Sequence, residues 1–261
     1  QHANHYINPS SYNINGGMLN LSKSLAGSWG IKSQTYYGVA KSKVNFPLGI
    51  GDLRAFNVIG EDLSVSNDIL TLQASYMHSF FDIKSLPQLS GKGVPKTPAY
   101  FIGLAAKLDY KNFLAITEIG KRQVGGTTFH QDHPGLGGEM PAYIGGYATV
   151  GYKYHNFLPS LTFSAIRTTN KSKVFDPTVL PTGGTNGPNP MVTTQNSFTA
   201  ALKYNFNQNI DVKASIQRIY TCGGWGTFGG FREGTGSTFT TNTKPVGRPV
   251  NIYQVALDLI F

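Results

Sequence analysis

The residues best equipped for chemistry lie in the run His130-Gln131-Asp132-His133. Three side chains of those types at close spacing could hold a zinc ion. The run sits in a Gly-rich stretch, where an exposed loop with two uncoordinated imidazoles is the simpler account. His2 and His5 read as chain-end loop in the same way. Nucleophilic catalysis needs Ser, His and an orienting group converging in space. No G-x-S-x-G elbow occurs, and the closest grouping is His78 with Ser75 and Ser79. Paired glycines at 125–126, 137–138, 183–184, 223–224 and 229–230 open no helix after a strand, as phosphate cradles require. Cys222 is alone, so neither an internal disulfide nor a Cys-based metal site is possible. Trp225, Phe228, Phe231 and Arg232 read as self-packing loop residues. The sequence therefore points away from an enzyme and implies no cofactor and no metal.

The elements that would position these residues alternate with period two, the signature of strands. In Tyr253–Phe261 one face carries Tyr253, Val255, Leu257, Leu259 and Phe261, the other Gln254, Ala256, Asp258 and Ile260. Phe198, Ala200, Leu202, Tyr204 and Phe206 oppose Thr199, Ala201, Lys203 and Asn205. Ile210, Val212, Ala214 and Ile216 oppose Asp211, Lys213, Ser215 and Gln217. The same holds for Leu70–Tyr76 and Tyr100–Tyr110. Apolar faces tend to end in Tyr or Phe, and the opposite faces are small and polar, which suits water better than a packed core.

Composition agrees. Only 13% of the 261 residues are charged, against about a quarter in ordinary soluble domains, while mean hydropathy is −0.18. A wall with one face in lipid and one in water averages out in this way. No run approaches the roughly 20 apolar residues that a membrane helix needs. Residues 1–11 lack the basic and apolar regions of a signal peptide, so an exported chain would already have lost its leader. Lys and Arg are spread thinly despite a net charge of +9, which argues against nucleic acid as a partner.

Connections fall into two classes. Short turns occur at 66–68, 110–112, 155–156 and 207–209, and long loops near 84–97, 124–141, 169–195 and 221–247. In an outer-membrane barrel short turns face the periplasm and long loops the exterior. The expected architecture is all-β: one transmembrane antiparallel β-barrel domain over 1–261, with about eleven strands, the first near 17–24 and the second near 28–42. Residues 1–16 read as a loop on the extracellular side. Because single-chain barrels usually have an even strand number, upstream strands are expected to be missing. A complete barrel of about 12 strands is the alternative, if 2–8 form a strand. A soluble β-sandwich would instead bury the Tyr, Leu and Phe faces between two sheets.

Strand parity nominates pore-lining residues: Lys32, Gln34, Gln73, Lys107, Asp109, Lys203, Asp211, Lys213, Ser215, Gln217, Gln254 and Asp258. Lipid-facing or assembly-signal residues are Tyr253, Val255, Leu257, Leu259 and Phe261. Glu118, Lys121 and Arg122 are weaker lining candidates, because Leu114 and Ile116 blur the parity of their strand. Tyr36, Tyr143 and Tyr147 could add an aromatic ladder. Lys outnumbers Asp among the candidates, which would raise the local anion concentration.

The segments SVSNDILTLQASYMHSFFD (64–82), NFLAITEIGKR (112–122), YATVGYKYHNFLPSLTFSAI (147–166) and NIYQVALDLIF (251–261) resemble Gram-negative porins of the gammaproteobacterial type. Phe261 looks like the C-terminal signal read by barrel-assembly machinery. The resemblance implies a whole protein of roughly 16 strands that forms a homotrimer, with this chain as its C-terminal portion and residues 1–16 where an inward-folding loop that narrows the pore would end. It further implies the outer membrane of a Gram-negative bacterium as location, and lipid and lipopolysaccharide as surroundings. The expected function is passive diffusion of small hydrophilic solutes with a mild preference for anions. The alternatives are a substrate-specific channel and a non-conducting barrel serving as adhesin or anchor; selection in a pore rests on diameter and on the field of the lining.

Overall fold

The computed structural model describes residues 14–46, 49–84, 94–125, 141–171, 192, 194–207, 209–221 and 249–259. His130–His133, His2, His5, Cys222, Trp225, Phe228, Phe231, Arg232 and Phe261 lie outside the described residues, as do most of the expected long loops and nearly all of 1–16.

Among the described residues eleven strands follow one another: β1 Ile14–Ser24, β2 Gly30–Phe46, β3 Gly49–Ser66, β4 Leu70–Lys84, β5 Val94–Tyr110, β6 Phe113–Val124, β7 Tyr143–Tyr152, β8 Phe157–Thr168, β9 Thr194–Asn205, β10 Ile210–Thr221 and β11 Val250–Leu259. They form one antiparallel sheet in strict chain order, so every strand pairs with its sequence neighbours. Among the described residues there is no helix long and apolar enough to cross a membrane. Odd-numbered strands run toward the rim of short turns. The two edge strands, β1 and β11, therefore point the same way, and among the described residues each has one partner.

The short turns are built from Asn and from left-handed backbone. The Asn67 side-chain oxygen accepts the Ile69 and Leu70 amides at 2.9 and 2.7 Å, and the Asn207 oxygen accepts the Asn209 amide at 2.8 Å. Such side chains imitate a backbone turn. Lys111 and His155 hold φ near 53° and 51°, the region tight hairpins demand. Asn57, with φ 48°, sits where the pairing of β3 slips between Phe56 and Ile59. One extra residue there re-aims the strand, as a β-bulge does.

Three features depart from the sequence reading. β1 and β2 start at Ile14 and Gly30, and β5 starts at Val94, inside a stretch read as loop. Pro95 and Pro98 cannot donate to a ladder and so mask a strand. The chain accommodates them beside a register shift between Phe81 and Ile83. The connection from β2 to β3 is also brief, at 47–48, yet it joins strands of 17 and 18 residues. Strands β2–β5 exceed β6–β11 in length, so the hairpins themselves extend the loop-end rim.

The register fixes two faces. Tyr253, Val255 and Leu257 pair across to Ile216, Ala214 and Val212, then to Ala200, Leu202 and Tyr204. The row continues through Leu161, Pro159 and Phe157. These residues share one face and are largely exposed, Tyr253 at 72% and Val255 at 80%. Leu104, Ile119, Val150 and Phe163 lie on it as well. A single cavity of about 360 Å³ is lined on the opposite face by residues from Ile116 on β6 to Gln254 on β11. The sheet therefore curls toward that opposite face, here called concave, and its convex face is predominantly apolar, interrupted by Glu61, Lys121, Arg167, Arg218 and the Arg54–Asp82 ion pair.

At the short-turn end the convex face carries a row of aromatic rings. Tyr110, Phe113, Tyr152, Tyr154, Phe157 and Phe206 are all exposed. Phe157 and Tyr204 stack at 4.7 Å between centroids, and Tyr204 meets Phe206 edge-on at 4.6 Å. Amphipathic rings at one level suit a boundary between apolar and aqueous surroundings.

Candidate functional site

All twelve residues nominated as lining share the concave face. Lys32 pairs with Ser64, and Ser64 with Gln73. Gln73 pairs with Ala105 and Ala105 with Glu118. Gln34 is linked through Asp62 to Ser75. Lys107 and Asp109 follow in phase on β5. Asp258 faces Asp211, Gln254 faces Ser215, and Lys213 faces Lys203. Tyr36, Tyr143 and Tyr147 lie on this face as well. The ambiguous strand β6 divides: Glu118 and Arg122 are concave, and Lys121 is convex, between Ile102 and Ile144. Lys121 thus lies on the face opposite that of the twelve nominated residues.

On β9–β11 the charge of the concave face is gathered at the short-turn rim and paired there. Asp211 contacts Lys203 at 2.8 Å and Lys213 at 3.5 Å. Lys213 also donates to Asp258, and Lys153 to Asp109 at 2.5 Å. The lysine field expected from the sequence is therefore largely offset where it is densest. Further from that rim, Arg122 lies over the Tyr143 ring at 4.7 Å.

Between rim and loop end the wall of β7–β11 is uncharged and rich in hydroxyl and amide groups. Thr149 and Thr162 share a hydrogen bond of 2.7 Å, and Ser164 and Ser197 one of 2.6 Å. The Gln217 amide donates to Ser197 at 3.1 Å. These groups line the cavity of about 360 Å³. A second cavity, of about 490 Å³, is lined by Asn20, Ser22, Lys32, Gln34, Asp62 and Gln73 among others. Tyr36 lies against Gly60, where a Cβ would come within 2.0 Å of the ring, so the glycine makes room for the phenol.

The concave face is not polar throughout. At the loop-end half of β2–β6, Ala40, Leu53, Ala55, Met77, Phe81, Phe101 and Val124 are buried, and Ile83 is 1% exposed. Gln73 and Ile83 occupy the same face of β4, so one strand passes from a polar surface to an apolar cluster. Lengthening of β2–β5 supplies the extra residues. The sequence reading missed this, because it followed parity without following height.

Catalytic and metal candidates are not brought together. His78 is convex, 5.0 Å from Phe80, whereas Ser75 and Ser79 are concave, facing Gly103 and Ala99. Among the described residues no three His, Cys, Asp or Glu side chains are placed to hold a metal. Sequence reasoning also missed Glu61, which is convex, pairing with Thr35 and Tyr76. Its signal was available: Glu61 is in phase with Ile59, Leu63 and Val65.

No protein-family model matches the chain, and no curated protein matches it in sequence.

Proposed function

We propose that this sheet is the greater part of a transmembrane β-barrel wall in the outer membrane of a Gram-negative bacterium, and that the barrel is a porin for small hydrophilic solutes. One observation carries the reading: an exposed, predominantly apolar convex face, edged by aromatic rings, backs onto a concave face rich in Lys, Asp, Ser, Thr and Gln. Hydrocarbon outside and water inside is the environment in which neither face is misplaced. Edge strands that run the same way favour further strands between them, since antiparallel closure then needs an odd number of additions. A whole barrel of roughly 16 strands fits, as does one of about 12. A homotrimer surrounded by lipid and lipopolysaccharide belongs to the same reading.

The slight anion preference we propose rests on Lys32 and Lys107. Neither forms an ion pair among the described residues, whereas Lys203 and Lys213 are engaged by Asp211 and Asp258. The test is conductance of the purified full-length protein in a planar bilayer. Stepwise currents with a weakly anion-favouring reversal potential are expected; a protein that stays soluble without detergent and passes no current would overturn the proposal.

The apolar cluster around Phe81 and Ile83 favours a second reading, in which the loop end is closed and the barrel is a non-conducting anchor or adhesin. Detergent-dependent solubility without any current would select it.

A further inference from the structure

Glu61 is out of place on the convex face. Along β3 it lies between Ile59 and Leu63, both exposed, and across the sheet it faces Tyr76. It is five positions from Ser66, at the short-turn end of β3. At about 3.3 Å per residue and a tilt of about 40°, that is roughly 13 Å from the rim, inside an apolar band about 25 Å tall. Two hydroxyls of the neighbouring strand hold the carboxylate: Ser33 donates to one oxygen at 2.5 Å, and Thr35 donates to the other. An ionised carboxylate can accept further bonds at both oxygens, and no cation reaches it among the described residues.

Lys121 has the complementary defect and lies in the same cross-strand row as Glu61, through Tyr76 and Ile102. It is convex, its register partners are Ile102 and Ile144, and no carboxylate pairs with it among the described residues. Arg167 and Arg218 are also convex cations without a carboxylate partner among the described residues, but they are on β8 and β10. β3 and β6 are three strands apart, about 14 Å at the usual inter-strand spacing, which is too far for the two to pair within one chain. Each opposite charge is costly in hydrocarbon alone and favourable when met by the other.

We propose that Glu61, cradled by Ser33 and Thr35, receives Lys121 of a second copy of this chain, and that this pair marks a subunit interface within the membrane. The contact is heterologous, β3 of one copy against β6 of the next, the type that closes into a ring. It rests on the membrane-barrel reading and names the surface through which such barrels would associate.

The test uses full-length protein in detergent, with native mass measurement for oligomeric state and heat-dependent gel mobility for barrel folding. Glu61→Lys and Lys121→Glu are each expected to weaken the oligomer at least about tenfold, and the double exchange to restore it. A folded, monomeric wild type overturns the proposal, as do single variants with unchanged assembly or a double variant that does not recover. If a charge reversal fails to fold, Glu61→Gln and Lys121→Gln decide: both must weaken assembly while leaving heat-dependent mobility intact. Loss of that mobility in the wild type itself would instead count against the barrel reading.

Discussion

Replacing Asp211 with Asn tests how the concave wall treats ions. Asp211 sits 2.8 Å from Lys203 and 3.5 Å from Lys213, so its charge offsets theirs within one side-chain length. Asn keeps the shape and removes the charge, leaving the wall one positive charge richer without opening a void. A unit charge about 6 Å from a passing ion in water contributes an energy of about RT, favouring anions and opposing cations by a factor of roughly three each. At 0.1 M salt the Debye length is about 10 Å, which cuts the energy by roughly half. The anion-to-cation permeability ratio should therefore rise about two- to fourfold in 0.1 M KCl, and the effect should fade toward 1 M, where screening acts within about 3 Å. Lys213→Gln should move the ratio the other way. The assay is the reversal potential across a planar bilayer under a KCl gradient. No shift at low salt, or shifts of one sign for both variants, would refute an ion path past these side chains.

Three further outcomes follow from the two faces. Leu104→Arg, on the convex face six positions from the short-turn end of β5, should destabilise the folded protein in vesicles by about 2–4 kcal/mol; Ser215→Arg, on the concave face, should change conductance and leave denaturant unfolding nearly unaltered. Gly60→Ala places a Cβ against the Tyr36 ring and should cost about 1–3 kcal/mol by overpacking, with recovery when Tyr36→Ala is added. Phe81→Ala empties a buried site in the loop-end cluster; unfolding should show a loss of about 3–5 kcal/mol, and unitary conductance should rise because the cluster narrows the path.

Much of this fold was legible because each strand has one apolar and one polar face, and parity then sorts residues without any coordinates. The sorting puts Lys32 and Asp258 on the face that the register gives them. It broke down where a residue type conflicts with its position. Leu114 and Ile116 are apolar yet concave, so the side of Lys121 stayed ambiguous until register placed it opposite Ile102. Pro95 and Pro98 disguised the start of β5, since proline signals a loop unless a register shift absorbs it. Height along the strands has no period, so nothing in the alternation of β4 marked the change from Gln73 to the buried Phe81 and Ile83. Ion pairing was equally hidden: Lys203 and Asp211 are neighbours only because β9 and β10 pair in one particular register.

The most direct test is cysteine scanning along β9 in a Cys222→Ser background, with the protein in lipid vesicles. Substitutions at Thr199, Ala201 and Lys203 should react with a bulky water-soluble thiol reagent and resist a lipid-dissolved quencher, while those at Ala200, Leu202 and Tyr204 should do the reverse. Uniform reactivity at all six positions, or burial of Ala200 and Leu202 from both reagents, would contradict a wall with hydrocarbon on one side and water on the other.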